Sequence, residues 1–378
     1  MKIGFDAKRA VQNFTGLGNY SRYVIDSLQS CYPQEEYYLY APREKRNPQL
    51  ERLIEQSNGQ TTLHYPTQRC WQRLSSLWRI GGIRKELERD GIALYHGLSN
   101  ELPLNIGRTQ GVKSVVTIHD LIFRQLPHCY PPIDRRIYDY KARAACKQAD
   151  HIIAVSECTK RDIMRYYGTP AEKISVIYQG CDPLFARRVP AEVLQEVRLR
   201  YQLPDCFLLS VGSIEERKNT LTALQALPDL PPEMHLVLVG KHTPYTDRLT
   251  DYAHRHGLSH RLHLCHGIPY NHLPAFYQLA TTFIYPSVYE GFGIPILEAL
   301  NSRLPVVAAT GSCLEEAGGP QSLYAPPHDA AAMARAVNET LRPEVRQRMI
   351  AAGIAWASRF TKEQMACQTM ECYKQVLG

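Results

Sequence analysis

Residues 286–300 read Pro-Ser-Val-Tyr-Glu-Gly-Phe-Gly-Ile-Pro-Ile-Leu-Glu-Ala-Leu. They follow a short apolar run, Thr282–Tyr285, and lead into helical spacing, so the segment reads as strand, glycine-rich loop and helix in succession. That is one unit of a parallel sheet whose strands return through helices, and amides at such a helix start can meet an anion. Glu290 and Glu298 stand eight residues apart, about two helical turns, so both can face one ligand if the helix begins near Gly293. The amides of Phe292, Gly293 and Ile294 would then point at a diphosphate, and two ionised carboxylates beside it fit recognition of sugar hydroxyls. Two carboxylates are also what a hydrolase uses as acid and base, so the residues alone leave both readings open.

Working outward, the same alternation recurs along the chain. In the first half the candidate strands are Lys2–Ala7, Tyr37–Tyr40, Thr62–Tyr65, Leu94–His96, Ser114–Ile118 and His151–Val155, with helical patterns at Tyr20–Leu28 and Ile133–Lys147. The second half repeats it with Phe207–Val211, His235–Val239, Leu262–Cys265, Thr282–Tyr285 and Pro305–Ala309. The 378 residues suit two domains at roughly 100–200 residues each. Gly180–Asp205, with three prolines and a charged amphipathic piece, reads as the linker. The fold class is therefore α/β, two doubly wound parallel sheets, whose ligands bind in loops at the carboxyl ends of strands.

Those loops hold the candidate chemistry. After the first strand comes Thr15-Gly16-Leu17-Gly18-Asn19-Tyr20, where two glycines allow backbone amides to approach an anion; an ordinary tight turn explains them equally well. It is not a dinucleotide fingerprint, since Ser21 stands where a third glycine would be. His119-Asp120 ends the strand Val115–Ile118, placing an imidazole and a carboxylate at a usual position for substrate contacts. Gly212-Ser213 ends another strand and leads to Arg217-Lys218-Asn219, a guanidinium fork and an ammonium at a helix start. Surface Arg-Lys pairs are common, but the strand-then-helix context favours a phosphate site over a solvated turn.

Composition narrows the setting. Met1–Ser30 lacks the apolar run and cleavage site of a secretory signal, and no segment reaches membrane-spanning length. The eleven cysteines are odd in number, scattered and without a Cys-x-x-Cys pair, which points to free thiols in a reducing cytoplasm. Of the net charge of +7, residues 1–188 hold 28 basic and 19 acidic side chains, against 16 and 18 in 189–378. The excess in the first half fits a surface for anionic lipid or a phosphate-bearing acceptor, on the inner face of the cytoplasmic membrane. No nucleic-acid motif accompanies it, so nucleic acid is not expected as a partner. Trp71–Arg89, with its interleaved aromatic, aliphatic and basic residues, fits a membrane-surface helix or, better, an ordinary packed helix interrupted by Gly81-Gly82. His254, His256, His260, His263, His266 and His272 crowd together, yet their spacing matches no zinc pattern, and no metal site is expected.

Taken together, Gly16-Leu17-Gly18, His119-Asp120, Arg217-Lys218-Asn219 and the Glu290 to Glu298 segment resemble the retaining nucleotide-sugar glycosyltransferases of family four, of the two-Rossmann GT-B architecture. The resemblance spans essentially the whole chain. It implies a first, acceptor-binding domain over 1–185, a second, nucleotide-sugar-binding domain over 200–358, and a helix over 360–378 crossing back to the first, the two domains facing a central cleft. By resemblance, Glu290 contacts the transferred sugar, Phe292 and Gly293 the diphosphate, and Glu298 the ribose. Arg217 and Lys218 neutralise the leaving diphosphate, His119 holds the sugar near its 6-hydroxyl, and Gly16 to Gly18 frame sugar and acceptor. Gly267-Ile268-Pro269 resembles the base-binding segment, and Leu314–Gly318 the helix that follows. Some members place an arginine directly after the glycine of the Gly212 strand end, where this chain has Ser213, which puts more weight on Arg217 and Lys218.

The function so implied is retaining hexosyl transfer without a metal or other cofactor. Mannose from GDP-mannose is the expected donor, given to a glycan or lipid-linked acceptor in surface polysaccharide or lipopolysaccharide synthesis. Alternatives are a UDP-sugar-dependent transferase, a nucleotide-sugar epimerase of the same fold, a sugar phosphorylase, and a non-catalytic nucleotide-sugar-binding protein.

Overall fold

The computed structural model describes residues 1–378, which divide into two units: Met1–Gln179 with Thr361–Gly378, and Gly180–Phe360. The first holds seven strands, β1 (Lys2–Asp6), β2 (Glu36–Tyr40), β3 (Thr61–His64), β4 (Leu94–Gly97), β5 (Lys113–Ile118), β6 (His151–Ala154) and β7 (Ile174–Val176). All pairs are parallel and the order is β3-β2-β1-β4-β5-β6-β7. β1 sits between β2 (Ile3 opposite Tyr37) and β4 (Ile3 opposite Leu94), so chain direction around the sheet reverses there. Such a switch point leaves the loops after β1 and β4 splayed apart, open to a ligand.

The second unit repeats the plan with β8 (Phe207–Val211), β9 (His235–Val239), β10 (Leu262–Cys265), β11 (Thr282–Tyr285), β12 (Val306–Ala309) and β13 (Leu323–Ala325), in the order β10-β9-β8-β11-β12-β13, again all parallel. Its switch point lies between β8 and β11. β4, β11 and β12 are buried along their whole length, and β11 and β12 accordingly appear in sequence as nearly continuous apolar runs rather than alternating ones. Both units are Rossmann-like doubly wound sheets, as the sequence pattern implied.

Several boundaries differ from expectation. β7 and β13 were not foreseen: each is a three-residue edge strand, Ile-Ser-Val and Leu-Tyr-Ala, too short to show a pattern. The expected linker belongs to the second unit, where Ala191–Tyr201 is a helix that buries Val197 and sets Tyr201 against Phe276. The first unit thus ends at Gln179 rather than 185. Trp71–Arg89 is not one helix: it breaks into Arg69–Arg73, Ser75–Leu77, a π-helical turn Trp78–Gly82, and Arg84–Asp90. The helix Lys362–Leu377 packs within the first unit against Gly16–Cys31, burying Met365, Met370 and Tyr373. No helix is long and apolar enough to cross a membrane.

Candidate functional site

In the second unit the chemistry gathers at the switch point. Gly212, directly after β8, lies at φ +143°, a conformation open to glycine, and its amide donates to Val239 O at 2.9 Å. A Cβ on Gly240 would lie 2.0 Å from the Gly212 carbonyl oxygen, so the ends of β8 and β9 close only because Gly240 lacks a side chain. Ser213 follows, exposed, and a single turn, Glu216–Lys218, brings the chain to Asn219 in the left-handed region at φ 54°. Asn219 donates through Nδ2 to the carbonyls of Pro286 (3.1 Å) and Pro327, and Val288 N donates to Arg217 O at 3.0 Å. These bonds tie the loop after β8 to the loop after β11.

The tie brings Arg217 and Lys218 onto Glu290. Arg217 Nη1 lies 2.9 Å from Glu290 Oε2 and also donates to Tyr289 O at 3.2 Å, while Lys218 Nζ lies 2.6 Å from Glu290 Oε1. Lys218 further donates to Tyr285 Oη at 2.6 Å, its ammonium 4.9 Å from that ring's centre. Burial by itself would raise the Glu290 carboxyl, but the Lys218 and Arg217 charges outweigh it and bring the pKa down to about 2. Burial likewise opposes the Lys218 charge, and Glu290 reverses the balance to raise its pKa. An ammonium has three protons, two of them placed on Glu290 and Tyr285. Beneath the loop, Cys313 Sγ lies 3.1 Å from the carbonyls of both Glu290 and Phe292, a support that no sequence motif announces.

The helix after this loop starts where the sequence reading placed it. Ile294–Asn301 is helical, with Gly293 at the N-cap, φ +113°, and Phe292 buried against Phe360 at 5.6 Å between ring centres. Leu314 crowds this turn, since a Cβ on Gly293 would meet its Cδ2 at 3.1 Å. Glu298, on the helix, accepts from Tyr277 Oη at 2.6 Å. Burial pushes its carboxyl up to about 7, the Tyr277 bond pulling the other way and Asp182 adding to the rise. The two glutamates therefore differ in chemistry: Glu290 is an ionised carboxylate held by cations, whereas Glu298 titrates near neutrality. Tyr277 and Asp182 lack a local signal, because the sheet brings them to Glu298 from 21 and 116 positions away in the chain. Ile268 sits half-buried past the end of β10, after Gly267 at φ +67°.

In the first unit His119 lies just past β5, 9% exposed. Its Nε2 sits 2.9 Å from Leu98 O, which can only accept, so Nε2 holds the hydrogen and Nδ1 is the acceptor. Its backbone N–H donates to Asn100 Oδ1 at 2.7 Å, and Tyr20 meets the ring edge-on at 4.4 Å. Burial lowers the imidazole to about 4, against the opposing Leu98 bond, so His119 is neutral near pH 7. Behind it runs a buried relay not visible in sequence: Tyr20 Oη to Thr117 Oγ1 (3.1 Å), Thr117 to His96 Nε2 (2.8 Å), and His96 Nδ1 to Tyr373 Oη (2.6 Å).

The glycine loop has a partner of its own. Gly16–Cys31 is a helix from Gly16, and the Asn13 side chain accepts from the amides of Thr15 (2.7 Å) and Gly18 (3.3 Å). A Cβ on Gly18 would fall 1.9 Å from Asn13 O, whereas one on Gly16 meets nothing within 4 Å. Gly18 is thus required by packing against Asn13, a capping arrangement that the anion reading of the loop overlooked. The clustered histidines go to separate partners, among them His235 for His263 (2.8 Å), Gly240 O for His266 (2.6 Å) and Tyr201 for His272 (2.9 Å).

Two doubly wound units, one with cations, a glutamate and a glycine-capped helix gathered at its switch point, define the GT-B class of fold. The family model for Glycosyltransferase Family 4 matches residues 16–184, and that for Glycosyl transferases group 1 matches residues 198–356. The chain belongs to this glycosyltransferase family and is a glycosyltransferase. The O-antigen chain mannosyltransferase B of Escherichia coli is 30% identical to it over 387 residues, covering 99% of this chain and 100% of the relative. The O-antigen chain mannosyltransferase RfbU of Salmonella typhimurium is 26% identical over 57% of each chain. Among solved structures, Anabaena Alr3699/HepE in complex with UDP and glucose superposes with a TM-score of 0.76 over 99% of this chain and 100% of that one, at 19% identity. At that identity the likeness shows the fold.

Proposed function

We propose that the protein transfers mannose from GDP-mannose, with retention of configuration and without a metal, to a glycan or lipid-linked acceptor in O-antigen-type polysaccharide synthesis. The observation that carries this is Glu290 held between Arg217 and Lys218 in the loop before the Gly293-capped helix. Leaving-group charge develops on the β-phosphate as the sugar departs, and preorganised cations and helix-start amides there stabilise the transition state. Arg217 and Lys218 supply that charge, the role a metal fills in other sites, and the amides of Gly293 and Ile294 add to it. A Glu290 carboxyl held at about 2 cannot donate a proton near neutrality, which favours sugar recognition over acid catalysis. Neutral His119 would accept a hydrogen bond from a sugar hydroxyl, and Glu298 from the ribose. The acceptor hydroxyl attacks from the face that the diphosphate leaves, a phosphate oxygen taking its proton. Mannose and the pathway draw their support from the Escherichia coli relative that spans the whole chain, an O-antigen chain mannosyltransferase. The basic excess of residues 1–188 supports a cytoplasmic enzyme working at the inner membrane face.

The test is thermal stabilisation by GDP, UDP and ADP and their sugar conjugates, each with EDTA or magnesium, since a ligand of the folded state raises its melting temperature. Selective stabilisation by GDP and GDP-mannose in EDTA is expected, followed by an α-linked product in NMR of the transfer reaction. Selective stabilisation by UDP would move the donor to a UDP-sugar, a magnesium requirement would end the metal-free reading, and an inverted anomer would end retention.

A further inference from the structure

The first unit holds a cavity of about 300 Å³, within the range of small-molecule sites, whose lining includes Ile80, Leu104, Arg136, Ile137 and Tyr140. It shares Glu101 and Lys141 with a second pocket of about 180 Å³ that reaches Leu17, Asn100 and Asp120, beside His119. One wall is the π-helical turn Trp78–Gly82, anchored by fully buried Trp78 and stitched to the facing segment by Leu104 N to Ile80 O (2.7 Å) and Asn105 Nδ2 to Gly81 O (3.0 Å). Such wide turns recur at functional positions, and here the turn delivers two consecutive side chains, Arg79 and Ile80, to the cavity.

The charges on the floor are already neutralised. Arg79 bridges Asp6 (Nε to Oδ2, 2.9 Å) and Glu101 (Nη1 to Oε2, 2.5 Å), and Lys141 reaches Glu101 at 3.3 Å, two cations balancing two carboxylates. Burial works against the Glu101 charge, yet Arg79 and Lys141 hold its carboxyl down at about 2, so the set stays ionised. What faces the opening is apolar: Leu104, Ile137 and Tyr140 are 37%, 45% and 61% exposed, large hydrophobic side chains left in water around one concavity. At the rim stands Arg136, exposed and outside every ion pair of the fold. An apolar hollow with one uncompensated guanidinium at its edge matches an apolar chain that bears a phosphate.

We infer that this cavity holds the apolar chain of an amphiphilic phosphate, the lipid end of the acceptor, with the phosphate on Arg136 and the sugar end in the adjoining pocket beside His119. Only the word acceptor rests on the transferase reading above; the binding chemistry does not.

The test is calorimetric titration of the full-length protein with decyl phosphate below its micellar concentration, alongside inorganic phosphate and decanol. Saturable binding of decyl phosphate is expected, at least tenfold tighter than that of either part. Leu104→Glu and Ile137→Glu, both at water-facing positions, should each weaken it roughly tenfold or more, and Arg136→Ala should weaken decyl phosphate while leaving decanol unchanged. Circular dichroism melts and nucleoside diphosphate binding serve as checks that the variants are folded. Absence of saturable binding, or binding indifferent to both glutamate substitutions, overturns the inference. So does sedimentation with phosphatidylglycerol vesicles that Leu104→Glu abolishes while decyl phosphate fails to bind, which would assign the surface to bulk bilayer. A protein that binds decyl phosphate here yet no nucleoside diphosphate would refute the transferase reading and leave the cavity assignment standing.

Discussion

Replacing Glu298 with Gln should stabilise the protein above neutral pH, with a gain that shrinks to under about 1 kcal/mol near pH 5 and vanishes below about pH 4. Burial holds the Glu298 carboxyl at about 7 in the folded state, against the ordinary 4.5 of an exposed glutamate. Between those two values the folded chain keeps a proton that the unfolded chain has released, so stability falls as pH rises through the window. The full gap corresponds to on the order of 3 kcal/mol, fully felt only above pH 7. Gln keeps an oxygen for the Tyr277 hydroxyl, now 2.6 Å from the carboxylate, and has no charge to bury. For a unit the size of Gly180–Phe360, this amounts to a melting temperature higher by about 6–12 °C at pH 8, falling to about 2–3 °C at pH 5. Scanning calorimetry of both proteins without nucleotide, from pH 5 to 8, measures it. Superimposable pH profiles would refute the assignment of a raised carboxyl to Glu298. Glu290 has the opposite sign: its stabilisation is present above pH 4.5 and disappears as pH falls towards 2, so it contributes nothing to the slope in this range.

Lys218→Ala should lower kcat by a factor equivalent to about 2–4 kcal/mol, since it removes one preorganised donor at the leaving diphosphate; wild-type turnover in a defined donor assay would contradict its role. The paired substitutions Gly18→Ala and Gly16→Ala separate packing from ligand contact. The first puts a methyl group 1.9 Å from the Asn13 carbonyl and should cost about 1–3 kcal/mol of stability in urea unfolding. The second meets open space at the first helical residue and should leave stability within about 1 kcal/mol, so that any fall in transfer rate at Gly16 reports on ligand contact alone.

Fold class was legible because a doubly wound sheet buries its central strands on both faces, and runs such as Phe207–Val211 and His235–Val239 stand out against charged helices. β7 and β13, at the sheet edges and three residues long, leave too little apolar sequence to be noticed. Glu290 and the Arg217-Lys218 pair were legible one by one from their loops. Their contact was not derivable from spacing, because it depends on Asn219 reaching across to Pro286 and Pro327. The Arg79 cluster escaped notice altogether. Its partners lie 73 and 22 residues away, and a basic residue among tryptophans and leucines reads as one more cation on a helix. The structure instead buries Arg79 and leaves Leu74 and Leu77 more than half exposed.

The first unit is interrupted by the second, and this sets a timetable for synthesis. A ribosome that has released Gln179 must add the whole of Gly180–Phe360 before Lys362–Leu377 follows, a delay of on the order of ten to forty seconds. Throughout that interval the nascent first unit lacks the tyrosine that His96 bonds and the helix that packs against Gly16–Cys31. The last sixteen helical residues thus complete a domain whose seven strands were all made first. A chain stopped short of them would leave its earliest-made domain unfinished, exposed to proteases and chaperones, while the later-made domain stood whole.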